Sequence, residues 1–178
     1  MKMNLWHDVS LGESAPLEIN VIVEIPKGSK NKYEIDKETG LIALDRALHT
    51  AQDYPFDYGF VPQTLWDDGD ALDVVLLTTY PLFPGILVNA RPIAIMHMTD
   101  SGEGDDKVIA VPVGDPRWND VKDLIDINKH TLKEMEHFFT TYKQIQNKVV
   151  EVSGFEGKEI AHLAVTKSIK LYKERFNK

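Results

Sequence analysis

Two short segments concentrate the side chains able to do chemistry. Asp67-Asp68-Gly69-Asp70-Ala71-Leu72-Asp73 places four carboxylates in seven residues, directly before the apolar run Val74-Val75-Leu76-Leu77. Like charges that close repel unless a cation neutralises them. Hard cations such as magnesium take oxygen ligands at about 2.1 Å, so carboxylates suit them. Taken alone, the cluster reads equally well as a solvated acidic turn. A calcium-binding EF-hand is the natural rival and fails on register. Counted from Asp68, position 5 is Leu72 and position 6 is Asp73, where that loop needs a ligand and a glycine. The second segment, Asp100-Ser-Gly-Glu-Gly-Asp-Asp106, again holds four carboxylates in seven residues. By itself it reads more readily as a solvated hairpin tip. Two acidic loops converging at one rim could share several metals.

Basic and phenolic side chains are interleaved with these acids. Lys32 and Glu34 are two apart on one expected strand and so share a face. Arg46, Lys107 and the pair Tyr142-Lys143 follow in order. A cavity lined by carboxylates and cations suits a highly charged anion carried in with metal ions. Arginine offers forked contacts to phosphate oxygens, and lysine a mobile point charge. Singly, each of these cations is as readily surface decoration, and Tyr142 lies on the apolar stripe of its helix. Tyr54 to Pro62 is expected to be a rigid core-capping loop, with Tyr58 the ring whose hydroxyl could face a polar cavity. The six histidines show no metal spacing, and His137 is expected to be packed or at an interface. There are no cysteines, which excludes disulfides, zinc thiolate sites and cysteine nucleophiles. No GxGxxG or Walker sequence supports a nucleotide-binding loop.

The elements that position these residues are short strands followed by helices. Glu18–Ile25, Lys32–Asp36, Leu41–Leu44, Val74–Thr79, Ile93–Met98 and Lys107–Val113 have strand patterning, punctuated by Gly and Pro. Apolar residues at Leu132, Met135, Phe138, Phe139, Tyr142 and Ile145 predict a helix over Asn128–Gln146, with Asn128 as N-cap. Lys148–Ser153 reads as a strand, closed by Gly154. Glu159–Phe176 reads as a second helix with a basic end. The pattern predicts a small twisted β-barrel with two helices packed on it.

Length and charge bound the answer. The 178 residues suit one domain, spanning 1–178. The net charge of −8 argues against a nucleic-acid partner held by its phosphates. No apolar run approaches the roughly 20 residues of a membrane span, and the first residues have no signal-peptide pattern, so the cytoplasm is the expected compartment.

The segments together resemble the soluble family I inorganic pyrophosphatases. The ordered pieces run from about Leu17 to Glu174. They are Glu24-Ile-Pro-Lys-Gly-Ser, Lys32-Tyr-Glu34, Asp45-Arg46, Tyr54-Pro-Phe-Asp-Tyr-Gly-Phe60, Asp68-Gly-Asp-Ala-Leu-Asp73, Pro81-Leu, Arg91-Pro, Met98-Thr-Asp100, Lys107 with Ala110-Val-Pro112, and His137-Phe-Phe with Tyr142-Lys143. The aspartate motif is the family's signature. The resemblance implies an OB-like five-stranded β-barrel with flanking helices. It also implies hydrolysis of pyrophosphate to two phosphates with three or four magnesium ions. Asp68, Asp73 and Asp105 resemble ligands of the first metals. Asp100 with Asp105 resembles the ligands of a metal arriving with substrate, and Glu34 is implied to help hold another. Asp70 matches the carboxylate that activates the attacking water. Lys32, Arg46, Lys107, Tyr142 and Lys143 match phosphate contacts, Tyr58 lines the same site, and Glu24 matches a site carboxylate acting through waters. Two positions depart from the pattern. Ala71 stands where Pro or Glu is usual. Thr141 stands where bacterial relatives often carry a second histidine near a subunit interface. A homo-oligomer, a hexamer in bacterial members, is implied. The rival readings are a single-strand-binding OB module and a magnesium-dependent nucleotide hydrolase.

Overall fold

The computed structural model describes residues 3–177; Met1, Lys2 and Lys178, which the single-domain span includes, lie outside the described residues. In chain order the strands are β1 (Ile19–Ile25), β2 (Asn31–Ile35), β3 (Ile42–Ala47), β4 (Asp57–Phe60), β5 (Asp73–Leu76), β6 (Leu87–Asp100), β7 (Glu103–Gly104), β8 (Lys107–Pro112) and β9 (Val150–Gly157). The helices are α1 (Lys129–Thr141) and α2 (Lys158–Phe176). Neighbours run β1-β4-β5-β8-β6, and β6 pairs back to β1, so five strands close into a ring. That ring, with two helices outside it, meets the mainly-β expectation. β7 and β9 hang on β6, and β2–β3 form a separate hairpin. Among the described residues no helix is long and apolar enough to cross a membrane.

The ring explains why its strands are apolar on both faces. Six of the seven residues of β1, INVIVEI, are buried, because its side chains meet the ring interior on one side and packed elements on the other. Along its length β6 serves β1, β8 and β9, and it is longer than its sequence suggests. The expected strand starts at Ile93, and the observed one at Leu87. Pro92 instead sits beside a register shift against β8, between Pro92 and Ala94, where a missing donor is tolerated. β4 lies within the segment expected to be a loop. Its buried Asp57 is satisfied by three donors: Lys27 N at 2.9 Å, Leu82 N at 3.0 Å and the Thr78 hydroxyl. β9 continues through Gly154, whose φ of +144° opposes His97 at another register shift. β5 stops at Leu76, short of the expected Thr79.

α1 starts as expected: the Asn128 side chain accepts the His130 N–H at 2.8 Å. It buries Met135, Phe138 and Phe139. It ends earlier than the stripe predicts, at Thr141 with Tyr142 as C-cap, and Asn147 with φ +56° closes the following single turn. Ile145 is consequently exposed. His137 is exposed rather than packed. α2 turns Ala161, Ala164, Val165, Ser168 and Tyr172 inward; its small residues let the helix lie close on the ring.

One close approach governs how β4 sits. A Cβ added at Gly59 would lie 1.9 Å from the Ile22 carbonyl oxygen of β1. Gly59→Ala therefore forces the two strands apart. Urea denaturation should show a loss of about 1–3 kcal/mol or more, the range for overpacking. An unchanged midpoint would mean that β1 and β4 do not meet at this distance.

Candidate active site

β5 and β8 are the parallel pair in the ring, and Asp73 is the register partner of Lys107. Parallel strands start at the same edge, and each of these is preceded by one acidic loop. Both loops therefore arrive side by side, which is the convergence that the sequence only suggested. The resulting cleft, of about 470 Å³, is lined by Glu24, Lys32, Glu34, Tyr58, Asp68, Asp70, Asp73, Asp100, Asp105, Lys107, Tyr142 and Lys143. Of the expected site residues only Arg46 is outside that lining. It is the register partner of Lys32, and its guanidinium is paired with Asp45, which also lies 3.2 Å from Lys32 Nζ.

Charge pairs organise the cleft. The Lys107 ammonium, 2% exposed, lies 2.6 Å from Asp73 Oδ2 and also pairs with Asp105. Lys143 pairs with Asp100, Lys37 with Asp70, and Lys32 Nζ lies 2.6 Å from Glu34, the shared strand face expected of that pair. Glu24 is buried, and its carboxylate accepts the Ile35 N–H at 2.7 Å.

Burial, then the charge of Asp73, pushes Glu24 up to about 8. Burial raises Asp105 to about 7; Lys107 opposes the rise and Asp73 adds to it. Asp68 is raised, again chiefly by burial. Burial alone would raise Asp100, but the Lys143 ammonium holds it below the usual carboxylate range. Burial alone would lower Lys107; Asp73 and Asp105 outweigh it and raise the ammonium instead. Burial pushes Tyr142 up to about 12 and Tyr58 well above its ordinary value. The phenols thus stay protonated and able to donate.

Several lining residues were not singled out from the sequence: Trp6, Lys37, Tyr54, Glu103 and Lys148. Trp6 comes from far away in the chain, and no spacing relates it to the acidic loops. Lys37 is three residues past Glu34, and its only signal was that proximity. Tyr54 was assigned to the core; it is 2% exposed and also reaches the cleft wall. Asp67 turns away from the cleft and meets Lys167 of α2 at 2.6 Å.

The donor set suits a hard cation. Five aspartates and three glutamates, with no sulfur ligand, face one cleft, and burial beside the charge of Asp73 pushes Glu24 and Asp105 toward neutrality. Among the described residues no three His, Asp or Glu side chains already close around one point. Asp70, Asp73, Asp100 and Asp105 are each turned to a lysine instead.

These raised carboxylates set a pH dependence. A folded pKa above the unfolded one gives a contribution that is complete below about pH 4 and is lost as pH rises through about 7 and 8. Chelator-treated protein should therefore lose stability in urea between pH 5 and 9. Glu24→Gln cannot ionise and should lose about 1–3 kcal/mol less over that window. Identical pH slopes for the two proteins would contradict a buried, raised Glu24.

The family model described as inorganic pyrophosphatase matches residues 21–173. An inorganic pyrophosphatase of Haloferax volcanii is 50% identical over 175 residues, covering 98% of this chain and 99% of the relative. Soluble inorganic pyrophosphatase 3 of Arabidopsis thaliana is 48% identical, covering 95% of this chain and 78% of the relative. The crystal structure of inorganic pyrophosphatase from Thermus thermophilus superposes with a TM-score of 0.93 at 42% identity, covering 96% of this chain and 99% of that one. With a family model spanning most of its length and half its residues shared with a relative of matching size, this chain belongs to the inorganic pyrophosphatase family.

Proposed function

We propose that the cleft hydrolyses inorganic pyrophosphate to two phosphates with magnesium, three or four ions per site, and without a covalent intermediate. The observation that carries this is the alternation of carboxylates and ammonium groups around one cleft: Asp68, Asp73, Asp100 and Asp105 against Lys32, Lys107 and Lys143. Pyrophosphate carries about three to four negative charges near neutral pH, so it needs cations to enter and to shed a phosphate. Asp68, Asp73 and Asp105 would hold the first metals, Asp100 with Asp105 one arriving with substrate, and Glu34 another. When bound, such ions screen the phosphate charge and acidify a water.

The chain's own groups divide the remaining work. Asp70 orients the attacking water and accepts its proton. Its side chain is 54% exposed, whereas Asp73 and Asp105 are recessed at 21% and 17% beside Lys107. An open carboxylate suits a group that meets water, and recessed ones suit ligands. Lys32, Lys107 and Lys143 offer ammonium groups to phosphate oxygens, and Arg46 a forked contact once it leaves Asp45. Protonated Tyr58 and Tyr142 donate hydrogen bonds to the same anion. Glu24, held by the Ile35 N–H, acts at the cleft floor through waters.

The single-strand-binding alternative needs exposed rings for stacking. Tyr54 and Tyr58, which line the cleft, are 2% and 7% exposed, which disfavours stacking there; the exposed rings of Tyr80 and Phe83 lie outside its lining. Assembly of several copies belongs to the same proposal; the exposed His137 of α1 leaves that face available.

Asp70 and Asp73 provide the test. Asp73→Asn removes a charged ligand, so raising magnesium should restore part of the activity by mass action. Asp70→Asn removes the proton acceptor, so turnover should stay about 10²–10⁴-fold low at every magnesium concentration. Initial rates titrated against magnesium, with circular dichroism to confirm folding, read the difference. Full recovery of Asp70→Asn at high magnesium would make Asp70 a ligand. No loss in either variant would overturn the assignment of the cleft.

A further inference from the structure

His97 faces a carboxylate from each ring nitrogen. Nδ1 lies 3.0 Å from Asp106 Oδ2, and Nε2 lies 2.6 Å from Glu156 Oε2 on β9. A ring that donates to both carboxylates carries a proton on each nitrogen, as an imidazolium. Burial would lower its pKa, but the hydrogen bonds and charges of Asp106 and Glu156 outweigh that and raise it.

The other oxygen of Asp106 accepts the Met98 N–H at 3.0 Å, and the Asp105 N–H donates to the Met98 carbonyl at 2.9 Å. The returning arm of the second acidic loop is thus bound to both backbone groups of Met98. His97 can reach both carboxylates because the β6–β9 register shifts between His97 and Met98, where Gly154 takes its positive φ. Such a bulge re-aims the side chain beside it. Asp105 and Asp106 are chemically identical neighbours, yet only Asp105 lines the cleft. A slip of one residue in a strand exchanges its two faces and would present Asp106 in place of Asp105.

We propose that His97 is a positioning residue: by bridging Asp106 and Glu156 it fixes the register that sends Asp105 and Lys107 into the cleft and keeps Asp106 out. The inference rests on the reading of the cleft as a cation site. Nothing in the sequence points to His97, because its partners lie 9 and 59 residues away.

Magnesium titration calorimetry on chelator-stripped, dialysed protein tests the bridge without relying on turnover. Wild-type protein binds magnesium. His97→Gln, neutral and with one donor nitrogen in place of two opposed ones, should bind it about ten-fold more weakly, the scale of losing a group that orients a ligand. His97→Lys, whose ammonium can serve both acids, should recover most of that loss, and circular dichroism should be unchanged in both. Nitrogen NMR near neutral pH should find both His97 ring nitrogens protonated. Equal affinity of His97→Gln and wild type, no recovery in His97→Lys, or a neutral ring would overturn the proposal. Wild-type protein that binds no magnesium would instead overturn the cation reading of the cleft itself.

Discussion

The Lys107 ammonium is enclosed in the wall of the ring, facing one carboxylate from each acidic loop. Removing a charge from water costs several kcal/mol, and only close, well-placed partners offset it. Asp73 and Asp105 are those partners, and the parallel pairing of β5 with β8 brings them together. That constraint fixes much of the rest. Two loops far apart in the chain must end at one rim. β8 must lie between β5 and β6. The Tyr58 ring must lie beside the ammonium, 5.7 Å away. The site is therefore a property of strand order, and the loops supply side chains to it.

Crowded carboxylates leave part of the cleft short of positive charge. Where a lysine is close, as at Asp100, acidity is strengthened; where burial dominates, as at Glu24 and Asp105, it is weakened. A site built this way is poised for cations. Each acidic loop also spends one acid outside the cleft. Asp67 pairs with Lys167, whose ammonium stands 4.3 Å from the Trp66 ring, and Asp106 pairs with His97. These outer acids fasten the loops to α2 and β6 while the inner ones stay available for chemistry.

Much of this was legible in the sequence because it is local. The two acidic clusters, the Lys32–Glu34 face, the Asn128 cap and the amphipathic α1 all follow from spacing. What was missed depends on distant partners. β4 looked like a loop because its aromatic, Gly and Asp content is strand-compatible only where Asp57 finds three donors and Gly59 meets Ile22. The strands expected to start at Ile93 and to close at Gly154 both run further, with a register shift beside Pro92 and beside Gly154. Arg46 stands beside the lining as the register partner of Lys32, with its guanidinium on Asp45. Trp6 and Lys37 enter the lining through folding alone.

The central claim is that carboxylates and ammonium groups in one cleft form a metal-dependent site for pyrophosphate. Its most direct measurement is phosphate release from pyrophosphate by the purified protein, with magnesium and again after the metal is chelated. The account predicts phosphate release in magnesium, two phosphates for each pyrophosphate consumed, and arrest on chelation that added magnesium reverses. Undiminished release in excess chelator, or no release at any magnesium concentration, would contradict it.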